Sequence, residues 1–255
     1  MARSGTQVLD RAIRILETIA DHGRITLTAL SGEIDLPLST TQRILTSLAS
    51  HGLVEQSKPG SGYGLGGRLQ FFASQIDSGR NLLMFARPIM EKVAAQTQED
   101  VFLASLSGRY ATIVERIAGP QALKIVEPPG EVAITLNCGF RRVLLAYQPE
   151  HWIEDYIDTT TFPRYAEGTI TDKRELRRVL KRVRTDGYAE SKSESVRDAS
   201  GIAAPVFGPD GEIAAVLFIV GPSFRFTKQR SAKLISSVTS AARRLTNLLR
   251  GDGGK

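Results

Sequence analysis

The sequence predicts an α+β protein of two domains, helices and a hairpin in front and an antiparallel sheet flanked by helices behind. Three observations carry that expectation. Apolar residues recur at helical spacing through Val8–Ala20 and again through Leu36–Val54. The segment Gly52–Leu65 reads as strand, tight Gly/Pro turn, strand. From about Ala86 onward, apolar runs alternate with helical patterns, and Gly208-Pro-Asp-Gly211 stands between two of the runs as a hairpin turn.

The first helix places Val8, Leu9, Ala12, Ile15, Leu16 and Ile19 at helical spacing. A shorter helix fits Thr28–Ile34, with Leu27 and Leu30 inward, and Asp35-Leu36-Pro37 turns the chain into a third. Ser39 is the expected N-cap of that helix. Leu45, Leu48 and Leu53 form its buried side with Ile44 at the edge, leaving Thr40, Arg43, Ser47 and Ser50 outward and Gln42 beside them. A face of Ser, Thr, Gln and Arg suits a major groove: Arg bonds guanine bidentately, Gln bonds adenine, and hydroxyls reach base edges or phosphates. Helix, turn, helix and hairpin in this order make a winged helix-turn-helix, with Lys58 at the wing tip placed for a phosphate. Ser39, Thr40, Thr41, Gln42, Arg43, Ser47 and Lys58 are therefore the candidate DNA-contacting residues.

Behind the wing, Leu69, Phe71, Phe72, Ala73 and Ile76 suit a linking helix, which Gly79 and Asn81 interrupt before a helix through Leu82–Gln96. The expected division is 1–66 for the DNA-binding domain, 67–85 for the linker and 86–255 for the second domain. There Val101–Leu106 and Tyr110–Ile117 form a hairpin about Ser107-Gly108-Arg109, and Ala122–Val126 reads as a further strand. Phe140–Tyr147, Glu150–Ile157 and Lys173–Arg184 read as helices, Ile202–Phe207 and Ile213–Val220 as strands, and Gln229–Arg250 as the last helix. The nearly continuous apolar content of those strands predicts a sheet covered on both faces.

A chain of 255 residues is long enough for two cores. Its longest apolar run, Ile213–Val220, is a strand's length, far short of the ~20 residues of a membrane span. With no signal-peptide core at the N-terminus, the expected location is the cytoplasm, with no membrane partner. The single cysteine, Cys138, excludes an internal disulfide framework. His22, His51 and His151 do not fall at metal-ligand spacing with it, so neither a metal nor a cofactor is expected. Net charge is +6, yet residues 1–70 hold seven Lys/Arg against six Asp/Glu. Affinity for double-stranded DNA then comes from a few placed contacts, doubled when two copies read a near-palindrome. The densest basic run, Lys173–Arg184, is read as a solvated amphipathic helix.

The residues Ser39-Thr-Thr-Gln-Arg-Ile-Leu45, Gly52-Leu-Val54 and Tyr63-Gly-Leu-Gly66 resemble those of IclR-type transcriptional regulators. Further matches follow at Arg87-Pro88, Thr171–Leu180, Gly187-Tyr-Ala-Glu190, Ile202–Phe207 and Gly221-Pro222, so the likeness covers nearly the whole chain. It implies a GAF-like effector-binding domain, a homo-oligomer (a dimer or dimer of dimers), and a pocket between the sheet and Leu136–Arg142. Its remaining walls are implied near Glu194 and along the strands ending at Val220. The chain departs from the family pattern there. Some members that bind short oxo-acids carry hydroxyls at the positions of Phe218 and Val220, and Gly139-Phe-Arg-Arg142 replaces small residues and a Gly-Lys pair. Phe140, Ile202, Phe218 and Val220 then line an apolar pocket, with Asn137, Arg141 or backbone N–H groups beside Cys138 and Gly139 for a polar end. The expected effector is an aromatic or apolar carboxylic acid that changes operator affinity; the alternative is that these side chains close a core without a cavity. A competing enzymatic reading makes Cys138 a nucleophile beside His151, but no orienting Asn or Asp stands at a recognisable motif.

Overall fold

A computed structural model describes residues 7–56, 61–74, 77–125 and 134–251. The chain divides into two compact units between Gly79 and Arg80. The first unit holds helices α1 (Gln7–His22), α2 (Leu27–Glu33) and α3 (Leu38–Ser50), strands β1 (Val54–Gln56) and β2 (Tyr63–Leu65), and helix α4 (Arg68–Ser74). Thr26 caps α2, its hydroxyl accepting from the Ala29 N–H at 3.3 Å. The turn that follows puts Asp35 at φ +52°, a left-handed conformation that Asp tolerates better than most residues. Helix α3 then starts differently from expectation. Pro37 holds the N-cap position, and Ser39 lies within the helix without capping it.

The antiparallel pair β1–β2 aligns Glu55 with Gly64, and Ile25 extends it by exchanging two backbone hydrogen bonds with Tyr63. Ile15, Ile19, Ile25, Leu30, Ile34, Ile44, Leu45 and Leu48 form the core beneath. Val8 and Leu9, expected on the inner stripe of α1, are instead exposed. Only Ile15 and Ile19 of that helix are fully buried, because the small bundle reaches no further along it.

The second unit is built on five strands, β3 (Asp100–Ser107), β4 (Tyr110–Ile117), β5 (Ala189–Lys192), β6 (Ala199–Phe207) and β7 (Ile213–Pro222). They lie in the order β4-β3-β7-β6-β5, every neighbouring pair antiparallel. Alternate residues face opposite layers. Val101, Leu103, Ile202, Ala204, Leu217 and Ile219 pack with α5 (Asp77–Thr97) and α9 (Lys228–Leu249). Phe102, Ala104, Ala203, Val216 and Phe218 meet α6 (Arg141–Ala146), α7 (Glu150–Thr159) and α8 (Lys173–Asp186). The central strands β3, β7 and β6 are covered on both faces, which is why they lack polar alternation. The edge strands β4 and β5 are largely exposed.

Local chemistry sets several ends. Asp172 caps α8 by accepting from the Glu175 N–H at 2.7 Å, and Gly187 closes it at φ +75°. The Gly208–Gly211 turn is closed by the Gly211 N–H on the Gly208 carbonyl at 3.1 Å. Two expectations fail. Ala122–Ile125 is not a strand: Lys124 folds back onto Asp100 and the Gly119 carbonyl (Val126 lies outside the described residues). Helix α5 runs through Gly79 and Asn81, and Pro88 lies inside it. Among the described residues, no helix is long and apolar enough to cross a membrane. Leu45→Ala is expected to destabilise the first unit by about 2–5 kcal/mol, since the site beneath α3 is fully closed. Urea denaturation checks this, and a midpoint equal to wild type would contradict the packing described.

Candidate functional sites

The outer face of α3 follows from its inner one. Thr41, Ile44, Leu45 and Leu48 are buried, so at about 100° per residue the opposite side is centred on Ser39, Arg43, Thr46 and Ser50. All four are exposed. Thr40 and Ser47, expected at the centre, lie towards α1 and line a shallow cleft with Arg11 and Arg43. Gln42 lies towards the wing, its amide 3.3 Å from the Tyr63 hydroxyl. Thr41 is a correction: it is fully buried and its hydroxyl donates to the Pro37 carbonyl at 3.2 Å, so it cannot reach a base. Sequence reasoning missed Thr46, whose hydroxyl donates to the Gln42 carbonyl on the exposed face, and Arg11 across the cleft. The i+3 and i+4 spacing from Arg43 to Thr46 and Ser47 was the available signal. Lys58 lies outside the described residues.

In the second unit a cavity of about 210 Å³ opens beside the layer of α6. Gly139, Phe140, Ile202, Phe218 and Val220 line it, joined by Phe102, Arg116 and Ser195, which the sequence did not single out. Its aromatic wall is ordered: Phe218 stacks on Phe140 with centroids 3.8 Å apart and on Phe102 at 5.0 Å. Both pairs are nearly parallel, with interplanar angles of 8° and 13°.

Four expected lining residues serve the loop instead. Asn137 is fully buried, its amide donating to the Ile170 carbonyl at 2.6 Å while its oxygen accepts from Thr135. Cys138 is buried with its thiol donating to the Thr135 carbonyl at 3.7 Å, whereas His151 is exposed on α7. Arg141 is buried over the Phe140 ring, 4.4 Å from its centroid. Glu194 accepts from the Gly139 N–H at 2.8 Å and from Arg142 at 2.7 Å. That buried carboxylate fixes Gly139 at φ +58° and so aims the Phe140 ring into the stack. Among the described residues, no group of His, Cys, Asp and Glu could hold a metal.

Next to the cavity, the Asp100 carboxylate receives Arg116 at 2.7 Å on one oxygen, and Lys124 and the Gly119 N–H on the other. Burial pushes its carboxyl up, but the bonds from Lys124, Arg116 and Gly119 outweigh that and hold it below the ordinary value. Its contribution to stability is present above the unfolded pKa of about 3.9 and lost as pH falls through the lower folded value. The basic face of α8 is partly neutralised, Arg177 bonding Glu154 at 2.6 Å and Asp158 at 3.0 Å.

Two outcomes are expected. Glu194→Gln leaves the Arg142 charge buried without its counter-ion and destabilises the second unit by about 3–5 kcal/mol in chemical denaturation. Asp100→Asn costs stability near neutral pH, and its gap from wild type closes in acid below about pH 3.9, as thermal melts across pH would record.

The fold and the order of its two units have counterparts among known proteins. A family profile described as IclR helix-turn-helix domain matches residues 8–58, and one described as Bacterial transcriptional regulator IclR C-terminal matches residues 75–247. The HTH-type transcriptional regulator BhcR of Paracoccus denitrificans is 28% identical over 95% of this chain and 87% of its own length. The transcriptional repressor IclR of Escherichia coli is 27% identical over 96% and 90%. Among solved structures, an IclR homolog from Microbacterium hydrocarbonoxydans, complexed with 4-hydroxybenzoate, superposes with TM-score 0.79 at 26% identity, covering 96% of this chain and 100% of that one. The Thermotoga maritima IclR, at 22% identity, shares the fold with TM-score 0.71 over 95% and 98%. With both profiles matched in order along the chain, the protein belongs to the IclR family of DNA-binding transcriptional regulators.

Proposed function

We propose that this regulator reads a near-palindromic operator as a homo-oligomer, a dimer or dimer of dimers, and that an aromatic or apolar carboxylic acid bound in the second unit changes its operator affinity. The observation that carries the effector reading is the three-ring stack of Phe102, Phe218 and Phe140 lining the cavity. Such a wall presents apolar aromatic surface to a planar apolar body and no side-chain hydroxyl at Phe218 or Val220 for a short oxo-acid. The 4-hydroxybenzoate bound to the Microbacterium relative supports this class of ligand.

On DNA, Arg43 is the base reader, with Ser39, Thr46 and Ser50 beside it and Thr40, Gln42 and Ser47 at the margins; Lys58 is kept as a phosphate contact. The covalent path between the units runs through α4 and α5, and coupling of ~1–3 kcal/mol along it gives roughly 5- to 150-fold changes in operator affinity. Arg43→Ala is expected to keep its helical circular dichroism while weakening a duplex selected from random sequence by about 10-fold or more, as loss of a bidentate base contact implies. Unchanged affinity would remove Arg43 as a reader. For the effector, calorimetry with benzoate, 4-hydroxybenzoate, glyoxylate and pyruvate decides: heat from the aromatic acids is expected, and binding confined to the two short acids would reject the reading.

A further inference from the structure

We infer that Arg116 selects the charge of the ligand, so that the cavity takes a planar aromatic acid by its ring and its carboxylate together; this rests on the effector reading above. Two guanidinium groups flank the ring stack, and their settings differ. Arg141 lies over Phe140 but is buried and does not line the cavity. Arg116 lies over the Phe102 ring at 5.4 Å and does line it. Its side chain is 44% exposed.

Asp100 orients Arg116 without consuming it. One bond, Nη2 to Oδ2 at 2.7 Å, joins them, while Lys124 and the Gly119 N–H hold the second carboxylate oxygen. The group therefore contains two cations and one carboxylate, a local surplus of positive charge. A guanidinium has five N–H donors in a planar fork that matches a carboxylate edge to edge. Against the apolar wall of Phe102, Ile113 and Phe218 its field is less screened than in water. Ser191 and Ser195, which also line the cavity, are neutral and hydrogen-bond an acid or an amide alike. Charge discrimination thus falls to Arg116, on the edge strand β4.

Benzoate and benzamide share a shape and differ in charge, so calorimetry of the full chain with both isolates the point. Wild type is expected to bind benzoate about 10-fold or more tightly than benzamide, as a charge-assisted fork implies. Arg116→Gln should bring the two within about twofold of each other by losing benzoate affinity alone, and Arg116→Lys should restore part of the preference. Thermal melts confirm that the variants fold. An unchanged preference in Arg116→Gln, or an equal loss of both ligands, would overturn the inference, the latter making Arg116 a prop for Phe102. Equal binding of both ligands by wild type would also end it while leaving the effector reading intact. Binding of neither would overturn the two together.

Discussion

The surface that meets DNA is positioned by what lies beneath it. Ile44, Leu45 and Leu48 of α3 close over Ile15, Ile19 and Leu30, and fully burying each such side chain is worth about 1.5–3 kcal/mol. Turning the helix by one residue would rotate it by about 100° and carry those side chains towards water. No hydrogen bond on the polar side competes with that cost. The exposed row from Ser39 through Arg43 to Thr46 and Ser50 is therefore a consequence of the core, and Thr41 shows the same constraint from inside. It is the one hydroxyl of the helix turned fully inward, and the Pro37 carbonyl satisfies it.

The second unit uses alternation rather than rotation. In β3, β6 and β7, one set of residues builds an aliphatic layer with α5 and α9. The other set meets the short helices, and there aromatic rings replace aliphatic ones around a space they do not fill. Two adjacent carboxylates anchor the start of β3 in this arrangement. Glu99, fully buried, takes a bidentate Arg225 and the nearby Arg230, tying β3 to the end of β7 and the start of α9. Asp100 holds Arg116 and Lys124 on the cavity side. Both carboxylates are buried, so removing their cationic partners leaves an uncompensated charge.

Local pattern made much of this legible. Asp172 and Gly187 mark both ends of α8, Gly208–Gly211 marks the β6–β7 turn, and the Gly-rich stretch after α3 marks the wing. What local pattern lacks is sheet order and side-chain commitment. Nothing near Asn137 in the sequence says that its amide is already taken by Ile170, 33 positions away. The β3–β4 hairpin was legible from its turn, but nothing near Arg116 says that its guanidinium lies over the Phe102 ring. Strand β5 is short, polar and at an edge, so it carries no apolar run to announce it, while Ala122–Ile125 resembles a strand but is held by Lys124 instead. The helical face of α3 was off by less than a quarter turn, since Leu53, counted on the inner face, follows the helix rather than belonging to it.

The most direct measurement follows the outer face of α3 itself. Single cysteines at positions 39, 43 and 46, in a Cys138→Ser background, would be alkylated with and without a duplex that the protein has selected. The account predicts that all three react readily in the free protein and slowly on the duplex. Equal rates with and without DNA, or thiols already unreactive in the free protein, would contradict it.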